Sequence, residues 1–577
     1  MATHKNKKIL AEAVYSGFSG IDVSASHTGK AATSDMVNWQ INKDGSIEKR
    51  RGFRPLCDLG GEIEAIWSGL IGGEFFTYAF ADGKVLRYSF TDEEAITVGA
   101  PPASDLSSPR FFYLGGTLYL VVGGGIFSVG ENSLSAASGY VPLMGKDWQN
   151  DIIGEIYQPM NLLNRKARFT YIVSDEPSVF FRVVYSVASI DAVRVNGRAI
   201  SSQSYYFDSL FNSVNISGLG TGDRVEIAVT FAIPAPAERS ELLSTDTAAV
   251  FGGVSNSRVF MWNKEGAPTV FSSAFVNKAD ADAAKAFYPS SDSLYFPEGY
   301  EFSVGDGKNR IRAVQRHFDR LLFFTDGDVW MADSDACGYE YIPVMNINSS
   351  IGCSAEGAVA IAGNDPISVG SRKIYLWTSD TDELNECNAY SISDSLGEMI
   401  PSELFGNARV FSHRDSGEVW FYDPEEDDTA WIYQVETKNW FRYTGISAEG
   451  FFDANGEVGF YKEGVLYTFD KECDTDIYLD GESDITATFK SGFLDFGVAG
   501  NKRLTELGLS GEKCRSLKVT LEPQDIDPQV FSISMLGSKH SRFERRLNSG
   551  RFRQMTFTIK SEGSSRPVIH GFRLAVK

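Results

Sequence analysis

Apolar and polar residues alternate with a period of two along most of this chain, in short runs separated by glycine turns. Tyr78-Ala-Phe-Ala-Asp-Gly-Lys-Val-Leu-Arg-Tyr88, Leu321-Leu-Phe-Phe-Thr-Asp-Gly-Asp-Val-Trp330 and Phe451-Phe-Asp-Ala-Asn-Gly-Glu-Val-Gly-Phe460 are examples. Val, Tyr, Phe and Trp suit a pleated, half-buried surface. Asp-Gly and Asn-Gly supply the positive φ angles of a tight hairpin turn. The pattern predicts an all-β chain of repeated hairpins.

The rhythm changes along the sequence. Residues 1–60 look irregular and read as an N-terminal attachment segment, with a hairpin at Asp44-Gly45. Residues 61–147 read as two propeller-like units, spaced by about 40 residues, the length of a four-stranded blade. Residues 148–240 carry longer alternating strands, such as Arg224-Val-Glu-Ile-Ala-Val-Thr-Phe231, and predict an inserted β-sandwich closed by Pro234 and Pro236. Blade rhythm resumes over 241–475, interrupted by a helical pattern at 278–287. Residues 476–577 alternate cleanly and predict a C-terminal β-sandwich. The fold expected is a β-propeller-like platform of about six or seven units carrying two sandwiches.

Phe111–Gly130 is uncharged over a full membrane span, but it holds six glycines. Glycine pairs fit hairpin turns better than a bilayer helix, so no membrane-spanning segment is expected. The N-terminus has basic residues without an apolar core behind them, unlike a secretory signal.

Charge is unevenly spread. The chain is net −22, yet residues 1–54 are +4 and residues 501–577 are +8, leaving −34 for the middle. Basic ends on an acidic body suggest ends that meet partners. An acidic body argues against tight DNA binding, which depends on neutralising phosphates. The candidate partner contacts are Lys49, Arg50 and Arg51 near one end and Lys502 and Arg503 near the other.

No G-x-S-x-G elbow, P-loop or H-E-x-x-H motif appears. The six cysteines contain no CxxC pair and read as buried, reduced thiols. The acidic runs at 423–428 and 474–484 lack the spacing of a calcium loop and read as solvated turns. These readings predict no catalytic, metal or cofactor site. A carboxylate pair near a propeller axis would be the alternative, as in propeller glycosidases.

Four ordered groups of segments then carry a resemblance. They are Met36-Val-Asn-Trp39 with Asp44-Gly-Ser-Ile-Glu-Lys-Arg-Arg-Gly-Phe53; Ser257-Arg-Val-Phe-Met-Trp262 with Tyr288-Pro-Ser290, Tyr295-Phe-Pro297 and Val304-Gly-Asp306; Leu321–Met331 with Ile351-Gly-Cys-Ser354; and Ser491-Gly-Phe-Leu-Asp-Phe-Gly497 with Lys502-Arg503 and Ser549-Gly-Arg-Phe-Arg-Gln-Met-Thr-Phe557. Together the chain resembles the phage tail nozzle or tail-hub family, also called tail tubular protein B or DNA-stabilisation proteins. The resemblance implies a non-enzymatic virion protein, assembled in the host cytoplasm. It implies a ring, commonly a hexamer, below the portal and adaptor proteins and near tail fibres. Such a ring retains packaged double-stranded DNA and conducts it during ejection. On this reading the acidic body lines or flanks the channel. A glycan-binding or glycan-degrading propeller is the competing expectation.

Overall fold

The structure is a computed structural model. It describes residues 9–577 except 25–32, 103–104, 138, 151, 175–179, 234–236, 252–256, 275–293, 333–341, 380–386, 426–427 and 536–540. The helical pattern expected at 278–287 and the segment 288–290 lie outside the described residues.

Seven antiparallel blades make a closed propeller. Blades 1 to 6 are four consecutive strands each, spanning 63–99, 110–136, 247–303, 311–348, 359–391 and 409–443. Blade 7 takes three strands from 450–469 and its fourth, Phe53–Asp58, from the other end of the chain. That strand pairs antiparallel with Val465–Phe469, Phe53 opposite Phe469 and Asp58 opposite Val465. The first strands of successive blades stand side by side around the ring, and blade 7 returns to blade 1.

Aromatic and branched residues fill the gaps between blades. Phe80 and Val85 of blade 1 meet Leu118 and Leu120 of blade 2. Phe260 and Trp262 of blade 3 meet Leu321 and Phe323 of blade 4. Phe452 and Leu466 of blade 7 meet Ala79 and Tyr88 of blade 1. Each such buried Phe or Leu contributes roughly 1.5–3 kcal/mol, so the ring is held by apolar seams repeated at every joint.

Turn chemistry follows the sequence at three hairpins. Both residues of Asp82-Gly83, Asn196-Gly197 and Asn455-Gly456 have positive φ. The Asp326-Gly327 turn differs. The positive-φ residues include neither of its members. The Thr325 hydroxyl instead accepts the backbone N–H groups of Gly327 (3.3 Å) and Asp328 (3.1 Å). A side-chain acceptor replaces the glycine conformation there.

Between blades 2 and 3 the chain leaves the ring to form the insert. It has a five-stranded sheet and a three-stranded sheet over 143–231. Its core of Phe169, Tyr171, Phe181, Val214, Ile227 and neighbours is a cluster of its own.

The N-terminal segment is not irregular. Ala11–Tyr15, Trp39–Ile41 and Ile47–Lys49 join one sheet with Val568–Val576, Leu504–Glu512 and Ser541–Arg546. Thr33–Val37 pairs with Ala487–Ser491 in the facing sheet. These strands are short and each alternates over too few residues to be legible alone. The C-terminal sandwich is thus built from both ends of the chain. Tyr15, Phe489, Phe557 and Phe572 share its core, with Phe557 and Phe572 stacked at 4.2 Å.

The sandwich is fused to the propeller. Thr33–Val37 also runs parallel to Asn439–Tyr443, the outermost strand of blade 6, making one nine-stranded sheet. Asp35 seals the seam, accepting from Arg442 Nε (3.1 Å) and Nη2 (2.9 Å).

Gly52 enters the propeller at a point with no room. A Cβ there would lie 1.7 Å from the Thr475 carbonyl oxygen. Gly52→Ala is expected to destabilise by about 3 kcal/mol in denaturant unfolding, because backbone must move. Gly481, with nothing within 4 Å of its Cβ position, is the control; Gly481→Ala should stay within about 0.5 kcal/mol.

Candidate functional site: a buried arginine staple and a locked central mouth

The basic residues predicted as partner contacts divide sharply. Lys49 and Arg50 are 0% and 1% exposed. Arg50 sits where the sandwich, blade 6 and the crossing chain meet. Its guanidinium donates to both Asp476 carboxylate oxygens (2.7 and 2.6 Å) and to the Thr444 carbonyl (3.1 Å). Its Nε donates to Asn38 Oδ1 (2.9 Å), which also accepts the Thr444 N–H (2.9 Å). Burial pushes the Asp476 carboxyl up, opposed by the hydrogen bonds and charge of Arg50.

Lys49 Nζ donates to the carbonyls of Gly563 (2.5 Å) and Ser565 (3.1 Å). Burial lowers its ammonium to about 8, against the pull of Asp484. Lys502, 1% exposed, donates to the Arg553 carbonyl and lies over the Phe552 ring. These three cations are internal ties and present no charge to a partner. Lys and Arg are seldom fully buried unless paired, so a single sequence reads them as surface. Arg51 is half-exposed and bridges Glu457 at 3.2 Å. Arg503 is exposed.

The acidic runs are partly structural too. Asp476 belongs to the staple. Glu482 accepts from the Thr475 hydroxyl (2.5 Å), and Asp474 lies 3.6 Å from Arg566. Asp423 is buried and caps the Glu425 N–H (3.0 Å); Glu426 and Asp427 lie outside the described residues. Among the described residues, no three His, Cys, Asp or Glu side chains gather as metal ligands would. His317, His413 and His570 each have a polar neighbour within 3.3 Å: Asp365, Ser416 and Glu512.

A second cluster went unread in the sequence. In antiparallel blades, the loops entering each first strand and those joining second to third strands lie at the same end of the ring. At that end Glu356, entering blade 5, receives Arg110 of blade 2 at 2.6 Å and Lys264 of blade 3 at 2.8 Å. Arg409 of blade 6 donates to the Glu356 carbonyl. Burial pushes the Glu356 carboxyl up, but Arg110 and Lys264 together hold it below the usual range. Blades 2 and 5 are not neighbours. Their contact therefore crosses the axis and closes the centre of the propeller at this end.

The other end carries Glu418, half-buried at the start of the second strand of blade 6. Burial pushes its carboxyl up to about 7, against hydrogen bonds from Ser416 and Trp420. Both donors stand at 3.2 Å.

A cleft of about 610 Å³ opens between blades 1 and 2. Arg87 lines it, 4.8 Å over the Phe76 ring and 3.8 Å from Glu131.

No protein-family model matches this chain, and no curated protein matches it. Among solved structures, the chain is similar to the WD40 domain of SCAP from fission yeast, at 10% identity over 72% of this chain and 97% of that one, TM-score 0.30. It is similar to the AfRom2 CNH domain, at 8% identity over 73% and 99%, TM-score 0.35. An exo-beta-1,3-galactanase from Phanerochaete chrysosporium aligns at 9% identity over 57% and 95%, TM-score 0.24. The propeller assignment rests on the chain's own seven sheets.

Two predictions follow from the charged groups. Arg50→Met alone should cost about 3–5 kcal/mol, because Asp476 is left buried and uncompensated. Arg50→Met with Asp476→Leu should recover much of that loss in denaturant unfolding. Glu418 has a folded value of about 7 against 4.5 for the free side chain. An acid raised on folding favours the folded state most below its unfolded value, and that advantage is lost as pH climbs through the folded one. Glu418→Gln should therefore raise the melting temperature at pH 8 and leave it nearly unchanged at pH 4.5.

Proposed function

We propose that this chain is a structural subunit of a viral tail nozzle or hub. In that role it forms a ring below the portal and adaptor proteins, retains packaged DNA and conducts it on ejection. It works by geometry and charge, without a catalytic step, in the virion.

One observation carries the reading. The first of the four groups of segments that carry the family resemblance occupies the joint between sandwich and propeller. Asn38 and Arg50 form the staple with Asp476, Lys49 ties the sandwich, and Gly52 passes against Thr475. A resemblance confined to loops would carry little; this one falls on residues the architecture requires.

The locked mouth refines the mechanism. With Arg110 bridging to Glu356 across the axis, DNA does not thread a single propeller. The channel belongs to the ring, between copies, and the acidic propellers face it. A wall of like charge keeps phosphates from sticking. The basic sandwich is the part suited to contacts within the assembly.

Particles assembled without this protein should package DNA and then leak it, and should lack the ring of density below the adaptor in electron micrographs. Purified protein should bind to adaptor-bearing, DNA-filled capsids and stop the leak. Its absence from purified virions would overturn the reading.

The inter-blade cleft favours a second reading, glycan binding. Arg87 offers a donor, and Glu74, Glu131 and several serine hydroxyls line the same space. A glycan panel separates the two: saturable binding lost in Arg87→Met would favour the second.

A further inference from the structure

The described strands of both ends of the chain share one sandwich. Its basic excess comes from the C-terminal part, since residues 501–577 are +8. Within the sandwich, exposed arginines collect at one end. The chain over 545–553 runs alongside 502–507 there. Leu547 N–H donates to the Thr505 carbonyl (2.7 Å), and Leu504 N–H to the Ser549 hydroxyl (2.8 Å). Lys502 and Phe552 exchange backbone bonds of 2.8 and 3.0 Å, and Arg503 and Lys577 exchange bonds of 2.9 and 2.8 Å. This pairing brings Arg503, Arg551, Arg553 and Lys577 to one end of the sandwich, all exposed, with Arg545 in the row of core-facing Leu507 and Arg546 in the outer row beside Glu506.

Among the described residues none of these six is in an ion pair. In this sheet Arg573 takes Glu12 (2.6 Å) and Glu506 (3.6 Å), Glu48 takes Arg566 (3.1 Å) and Glu512 lies 3.1 Å from His570. Glu544 on the strand of Arg545, Glu506 opposite Arg546, and Asp525 and Asp527 beside residues 550–554 stand at the same end and leave the cluster with a smaller positive excess. Arg545 lies 5.0 Å over the Phe531 ring, whereas Val530, 61% exposed, faces the opposite side of that strand.

Exposed arginines with a single lysine match the enrichment of Arg over Lys at protein interfaces. A nucleic acid is the weaker candidate, because a net charge of −22 repels a polyanion at long range. The complementary surface is on the chain itself. Residues 58–105, mostly blade 1, hold nine acids and two bases. Its outermost strand, Glu94–Gly99, is a free edge, and the turn before it exposes Asp92, Glu93 and Glu94 in a row.

We propose that the arginine end of the sandwich docks on the acidic outer edge of blade 1 in a second copy of this chain. The contact is head-to-tail, because the two surfaces are different patches of one molecule. Repeated contacts of that kind close into a ring when the rotation allows. The proposal rests on the nozzle reading for its biological setting, but its test does not.

The test is self-association of the full chain, measured by sedimentation velocity and mass photometry from about 50 to about 500 mM salt. Oligomers should form at low salt and dissociate as salt rises. Arg551→Glu with Arg553→Glu should weaken association by about tenfold or more. Glu93→Lys and Glu94→Lys together should do the same, and mixing the two charge-reversed proteins should restore mixed oligomers. Arg545→Gln with Arg546→Gln is the milder second variant. All substituted side chains are exposed, so melting temperatures should match the parent. A chain that stays monomeric at every salt, or oligomers insensitive to salt and to both charge reversals, overturns the proposal. So does a charge reversal that spares association and abolishes binding to a DNA duplex. Salt-insensitive rings that still seal capsids would sink this interface and leave the nozzle reading standing.

Discussion

The Arg50–Asp476 pair is the constraint on which the rest of the molecule depends. It is fully enclosed, and taking two charges out of water costs several kcal/mol per ion unless every donor is used. Here the guanidinium meets two carboxylate oxygens, the Asn38 side chain and two backbone carbonyls. That set exists only when four stretches are in place together: the N-terminal crossing, the end of blade 6, the chain after blade 7 and the sandwich. Apolar seams supply most of the stability. The staple specifies which strands form them, since no other register satisfies the buried ions.

The same joint explains the split in charge. Residues 55–500 are −34 overall, although blade 2 is neutral, and residues 501–577 are +8, yet propeller and sandwich share one continuous sheet through blade 6. The cations that face inward are spent on architecture, whereas the arginines at the far end of the sandwich remain in water. Net charge alone would have assigned both groups to the same task.

Much of the architecture was legible because period-two alternation and glycine turns are local signals. Six blades are runs of consecutive strands, and their aromatic residues mark them plainly. What escaped was nonlocal. Phe53–Asp58 reads as an isolated apolar fragment until Val465–Phe469 lies beside it. Lys49-Arg50-Arg51 reads as a surface cluster because alternation over three residues does not tell inside from outside. Arg110, Lys264 and Glu356 are unremarkable charges in sequence, brought together only by ring closure. At Asp326-Gly327 the turn dipeptide is present, but Thr325 supplies the bonds and the expected conformation is absent.

Closing the ring with an early strand has a consequence for synthesis. When Phe53–Asp58 leaves the ribosome, its partner is about 400 residues from being made. Ala11–Tyr15 waits longer still, for Val568–Val576. Contacts of such sequence separation make folding slow and leave strand edges exposed in the meantime. Blades 1 to 6 can form as they emerge, each from local hairpins, but the circle closes only once Val465–Phe469 has emerged, and the sandwich only once Val568–Val576 has. The nascent protein is thus an open arc with a sticky leading end, and chaperones have most to do in that interval.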